Sequence, residues 1–160
     1  MKKTIFIIIL MMVVMFGRAQ KLDFAGIPLS GSIEQYEEKL SAKGYVLQSG
    51  IIGSRCYIGQ FLNRKNANIV VWYKKDTREV YGAKAYIDDL VASKAEALYA
   101  DFKNRIGKMY SSARLENGTD SRDLPTFMFR FADGSSIFGY MKQRGLNWSV
   151  NVEYHTEVYF

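Results

Sequence analysis

The 160-residue chain has one cysteine and one histidine. A single cysteine excludes an internal disulfide and any cysteine-rich zinc site. A single histidine excludes a two-histidine metal site within the chain. Catalytic signatures are missing as well: there is no Gly-x-Ser-x-Gly elbow, no Ser-x-x-Lys and no glycine-rich phosphate loop of Walker type. The one Cys–His pair, Cys56 and His155, lies 99 residues apart on different expected strands. A nucleophile needs a base and an orienting group beside it, and nothing in that spacing brings the two together. The chain therefore does not read as an enzyme, and no cofactor and no metal site are expected. Long apolar runs are scarce too. The longest is the 12 residues Ile5–Phe16, whereas a spanning helix needs about 20.

That short run has the flanks of an export signal. Lys2 and Lys3 form a positive start, the apolar run follows, and Gly17 and Ala19 are small residues at −3 and −1 of a cut before Gln20. The pattern predicts a secretory signal over 1–19, cleaved between Ala19 and Gln20. The export machinery then recognises the N-terminus, and the mature chain is periplasmic or secreted, with no stable membrane span. The charge is read in that light. The 22 basic and 16 acidic residues give +6, but Lys2, Lys3 and Arg18 leave with the signal, and the remainder carries +3. The remaining basic residues are scattered over expected turns and sheet edges, where lysine serves solubility. Lys43-Gly-Tyr-Val46 matches only the first fragment of an RNA-binding strand motif. No nucleic-acid partner is expected.

Residues 20–160 read as a single α+β domain. Ser32-Ile-Glu-Gln35 and Ser93-Lys-Ala-Glu96 are capping boxes, each placed before an amphipathic stretch. The first helix runs from about Ile33 to Lys43, with Ile33, Tyr36 and Leu40 on one face. The second runs from about Lys94 to Tyr110, with Leu98, Phe102, Ile106 and Met109 as its stripe. Strand-like segments follow each helix: about 45–50, 54–63, 67–75 and 78–88, then about 126–132, 135–142 and 146–158. Asp133-Gly134 marks a tight hairpin turn. The segment 112–124 is polar and rich in turn formers, and reads as a loop. Gly50-Ile-Ile-Gly53 reads as a strand break or bulge. The expected architecture is an antiparallel sheet of about six or seven strands with two helices on one face. Helix followed by strands occurs twice, as pseudo-repeats of about 24–90 and 91–160.

The segment Phe24-Ala-Gly-Ile-Pro-Leu-Ser-Gly31, followed by an acidic helix ending Leu40-Ser-Ala-Lys-Gly-Tyr45, spans 22 residues. It resembles the opening of small exported bacterial proteins of unknown function that share a Gly-Ile-Pro-Leu or Gly-Ile-Pro-Ile start. The repeated helix-then-strands pattern also resembles the PepSY-like and beta-lactamase-inhibitor-like α+β architecture. The resemblance implies a non-enzymatic exported protein. It carries over no inhibitory residue, because no inhibitory motif is matched.

Two-faced strands supply the candidate site. Phe127, Phe129 and Phe131 point one way, and Met128 and Arg130 the other. Leu146, Trp148, Val150, Val152 and Tyr154 share an apolar face, while Asn147, Ser149, Asn151, Glu153 and His155 share the opposite one. Phe138, Tyr140 and Lys142 extend that polar face across the neighbouring strand, and Ser136 adds a hydroxyl. Tyrosine, arginine, asparagine and serine side by side suit recognition of a protein or glycan in the cell envelope or outside the cell. Two other readings are weighed: an exported hydrolase using Asp88, Asp89, Glu153 or His155, and a structural part of the envelope. Asp88-Asp89 reads as a loop or N-terminal turn before the second helix. Asp120 and Asp123 read as turn formers rather than calcium ligands, and Cys56 as a small core hydrophobe.

Overall fold

The computed structural model describes residues 22–156. The expected signal segment, 1–19, lies outside the described residues. A short hairpin pairs β1 (Asp23–Phe24) with β2 (Ile27–Pro28). Next come α1 (Ile33–Ala42), β3 (Val46–Ile51), β4 (Ser54–Phe61), β5 (Arg64–Tyr73) and β6 (Val80–Leu90). Then follow α2 (Ala92–Met109), β7 (Arg114–Thr119), β8 (Pro125–Arg130), β9 (Ser136–Arg144) and β10 (Asn147–His155). Strands β3 to β10 form one antiparallel sheet in the order 3-4-5-6-10-9-8-7. Each set of four is a meander, with sequential strands side by side. The two meanders meet where β6 pairs with β10, with Lys84 opposite Glu153 and Tyr86 opposite Asn151.

The chain is α+β, but the sheet has eight strands, not six or seven, and β1–β2 is a second, separate sheet. The additional strand is β7, which lies inside the segment expected to be a polar loop. It is an edge strand paired only with β8. Five of its six residues are exposed and Glu116 is half-buried, so it has no apolar alternation to mark it. Gly50–Gly53 holds the expected strand break rather than a bulge. Ile52 and Gly53 make the turn between β3 and β4, and the bulge lies earlier, between Leu47 and Ser49.

One face of the sheet is closed. Two inward rows cross it in register: Tyr57, Ile69, Ala85, Val152, Gly139 and Phe127, then Val71, Ala83, Tyr154, Ile137 and Phe129. The small residues in these rows leave room for large neighbours. At Gly139 an added Cβ would stand 2.1 Å from Phe127 Cζ, well within the contact distance of the ring. Helix α1 begins as the sequence predicts, with Ser32 Oγ accepting from Gln35 N–H at 3.4 Å, and it buries Ile33, Tyr36 and Leu40. Helix α2 does not use its capping box. It starts at Ala92, so Ser93 sits within the first turn, and the N-cap Val91 makes no side-chain bond. It buries Ala95, Leu98, Tyr99, Phe102 and Ile106. Met109, expected on the same stripe, is exposed at the last residue of the helix.

The β1–β2 hairpin plugs the core where the two meanders join. Phe24 is fully buried. Its ring stacks on Phe61 at 5.7 Å and meets Tyr154 edge-on at 5.3 Å, while Phe61 meets Phe102 edge-on at 5.2 Å. One ring of the hairpin therefore touches β4 of the first meander and β10 of the second. The Tyr110 hydroxyl, at the end of α2, donates to the Asp23 carbonyl at 3.1 Å and fixes the hairpin from the other side. No helix among the described residues is long and apolar enough to cross a membrane.

Candidate functional site

The opposite face of the sheet presents three rows in register. The first is Asn68, Tyr86, Asn151, Tyr140 and Thr126. The second is Val70, Lys84, Glu153, Phe138 and Met128, and the third is Trp72, Gly82, His155, Ser136 and Arg130. In the first meander the same alternation that turns Ile69, Val71 and Tyr73 inward turns Val70 and Trp72 outward.

Lys84, Tyr140 and Glu153 form a bonded cluster at the seam. Lys84 Nζ donates to the Tyr140 hydroxyl at 2.8 Å and lies 3.3 Å from Glu153 Oε1. The Tyr140 hydroxyl donates to Glu153 Oε1 at 2.8 Å. His155 Nε2 lies 3.3 Å from Glu153 Oε2. The Lys84 ammonium also sits 5.5 Å from the Tyr86 ring centre and 5.2 Å from that of Tyr140, within cation–π range. Burial alone would raise the Glu153 carboxyl. The hydrogen bonds from His155, Tyr140 and Lys84, with the Lys84 charge, outweigh burial and hold it at about 2. Burial pushes the Tyr140 phenol up, and the Glu153 charge adds to that. The site thus carries a fixed carboxylate and a neutral phenol at neutral pH.

An aromatic border flanks the charges. Trp72 stacks on His155 at 5.5 Å and 10°. The two rings reach each other across β6 because Gly82 lies between them. A Cβ there would stand 3.1 Å from Trp72 Cε3, 3.5 Å from His155 Nδ1 and 2.9 Å from the Tyr154 carbonyl. On the other side Phe138 stacks on Tyr140 at 5.3 Å, with Met128 next in its row. Arg130 is paired with Glu116 of β7 at 3.0 Å.

The structure brings most of the sequence-predicted residues together but not on equal terms. Met128, Arg130, Phe138, Tyr140, Glu153 and His155 are half-buried on the open face, and Lys142 and Asn147 are exposed. Ser149 and Asn151 are each only 3% exposed. Both stand on the polar face of β10 and barely reach solvent. In register, Asn151 lies between Tyr86 and Tyr140, and Ser149 lies opposite Lys142, so short side chains stand between long ones. Asn151 Nδ2 donates to Ser149 Oγ at 3.0 Å, which satisfies both within the sheet. Leu146, read with the apolar face, is 94% exposed because β10 begins only at Asn147. The residues that sequence reasoning missed are Trp72, Lys84, Tyr86 and Glu116. Lys84 and Tyr86 alternate with Ala83 and Ala85, a small-inside, large-outside pattern that marks them as facing outward.

The hydrolase set is split: Glu153 and His155 touch at 3.3 Å, and Asp88 and Asp89 stand apart from them. Asp88 and Asp89 belong to β6, not to a loop. Their register slips between Trp148 and Val150, and Asp89 takes a left-handed φ of 57°. They line a shallow cleft of about 150 Å³ with Arg144, Asn147, Trp148 and Ser149, and Asp89 accepts from Asn147 Nδ2 at 3.1 Å. Glu153 and His155 stand further along β10, beside Lys84 and Gly82. Cys56 is half-buried on β4, three strands from β10. Asp120 holds a turn. It accepts from Arg122 N–H at 2.8 Å and from Leu124 N–H at 3.0 Å, and these bonds keep its carboxyl below the usual range. No protein-family model, no curated protein and no solved structure matches the chain.

Proposed function

We propose that the protein is a non-catalytic exported protein that binds a partner protein through the open face of its sheet, centred on Tyr140, Lys84, Glu153 and Trp72. The observation that carries this reading is the bonded cluster at the seam. Side chains on a merely solvated sheet face have no need of fixed positions. Here Lys84, Tyr140, Glu153 and His155 are held by one another and bordered by Trp72 and Phe138. Rigid aromatic and charged groups lose little side-chain entropy on binding, which is why tyrosine and tryptophan dominate binding hot spots. Arg130, already paired with Glu116, would act at the rim.

The test is site-specific photocrosslinking in intact cells. A photoreactive residue at Met128 or Lys142 should give a protease-sensitive adduct, and one at Asn104 on the outer side of α2 should not. Once the partner is known, Tyr140→Ala or Trp72→Ala should weaken its binding by about tenfold or more. Equal adducts from both surfaces, or unchanged affinity in both variants, would remove the open face from the function. A protease-resistant adduct would assign the face to a glycan instead.

A further inference from the structure

The two edges of the eight-stranded sheet differ in kind. β7 carries Arg114 and Glu116, and Glu116 pairs with Arg130 at 3.0 Å and with Arg114 at 3.6 Å. Charges on an edge strand oppose pairing with another sheet. β3 itself carries no charged residue; the nearest cation is Arg55 of β4, which lies against Gly50 on the inner face and is tied to the Ile51 carbonyl at 3.2 Å and to Glu37 at 3.9 Å. The chain is uncharged from Tyr45 to Ser54. Its apolar side chains stand in solvent: Val46 is 59% exposed, Leu47 45%, Ile51 73% and Ile52 77%. An uncharged, apolar edge strand is a template for a further strand.

The bulge decides which strand fits. Along an unbroken strand, residues five apart point to opposite faces. β3 has one more residue than β4 between Leu47 and Ser49, and this shifts the alternation. Val46 lies opposite Ile58 and Ile51 opposite Ser54, so both face outward. Leu47 lies opposite Tyr57 and Gly50 opposite Arg55, so both face inward. An antiparallel copy of β3, related by a two-fold axis between Gln48 and Ser49, therefore matches in both flanking pairs on each side of the axis. Val46 meets the partner's Ile51 on the outer face, and Leu47 meets the partner's Gly50 on the inner one. Gln48, the additional residue of each strand, stands beside the axis opposite the partner's Ser49, and no like charges are brought together there. A strand without the bulge would match only one half of this edge. Pairing of β3 with β7 of another copy would be head-to-tail, would not close as a two-fold pair, and would set Arg114 and Glu116 beside an apolar row.

We infer that the chain self-associates through β3, forming a two-fold dimer in which two sheets run on as one. Sedimentation velocity of the purified full chain over a wide concentration range tests this. The mass should double as concentration rises. Ile51→Lys should abolish the dimer, and Leu115→Lys on β7 should leave it intact. The register is read separately with Val46→Cys and Ile51→Cys combined in a Cys56→Ser background. Within one extended strand these two cysteines are about 16 Å apart and cannot bond, so oxidation should yield a covalent dimer. This arm stands even if the lysine variant fails to fold. A monomer mass at every concentration would overturn the inference. So would a dimer that survives Ile51→Lys and gives no covalent product.

Discussion

The two faces of the sheet are made by the same strands and obey different rules. The inner face is closed by two helices and a hairpin, and its contacts are rings packed against rings and small residues. The outer face has no helix on it among the described residues, and its contacts combine hydrogen bonds and ion pairs with ring stacks such as Trp72 on His155. Within that outer face the meanders differ again. β4 and β5 turn out Cys56, Ile58, Val70 and Trp72, while β8, β9 and β10 turn out Met128, Arg130, Tyr140 and Glu153. Equal topology therefore does not impose equal chemistry. The strands fix where side chains stand, and the residue at each position decides what the surface recognises.

The comparison can be broken most severely from the inside. Phe24→Ala removes the ring that touches Phe61 and Tyr154 and should cost about 3–5 kcal/mol, read as a lower denaturant midpoint. A shift below about 1 kcal/mol would mean that the hairpin does not couple the two meanders. Next is Gly139→Ala. The Phe127 ring occupies the space of the new methyl, so the ring must move, at a cost of about 1–3 kcal/mol. A neutral result would show that the inner face repacks without strain.

The outer cluster should respond less, and to pH. Glu153→Gln leaves Lys84 without its carboxylate in a half-buried site, and should cost about 1–2 kcal/mol at neutral pH. The folded carboxyl titrates at about 2, against an ordinary value of 4.5. Its contribution is therefore full above pH about 4.5 and is lost as pH falls toward 2. Denaturant unfolding as a function of pH should show wild type and variant converging in acid. Parallel curves would remove the carboxylate from the ledger of that face. The smallest effect belongs to Val70→Thr, on the outer face beside Lys84, which should change stability by less than about 1 kcal/mol. A larger loss would mean that the outer apolar row is covered by another surface.

Legibility followed the same divide. β8, β9 and β10 were readable because one face is apolar and the other polar, and Asp133-Gly134 marks the turn between β8 and β9. α1 was readable because Ser32 caps it and Ile33, Tyr36 and Leu40 keep helical spacing. β7 was not readable. Arg-Leu-Glu-Asn-Gly-Thr has both faces in solvent at a sheet edge, so pairing with β8 is its only structural mark. α2 starts ahead of its apparent signal, because Ser93-Lys-Ala-Glu96 has the form of a capping box without occupying the N-cap. Half of the site was visible in β8, β9 and β10. The other half, Trp72, Lys84 and Tyr86, comes from the first meander, and local patterning says nothing about which distant strands become neighbours.

The sequence by itself determined the two helices, most strand positions, the alternation that separates inside from outside, and the absence of a disulfide or a two-histidine metal site within the chain. Each of these follows from local periodicity or from counting, and neither needs to know what lies across the sheet. Only the tertiary structure decided that β6 and β10 form the seam, and so that Lys84 meets Glu153 and Trp72 meets His155. Strand order is chosen by the burial of the whole inner face, where Phe24, Phe61, Phe102 and Tyr154 converge from four segments distant in sequence. The outer cluster is assembled as a consequence of that choice.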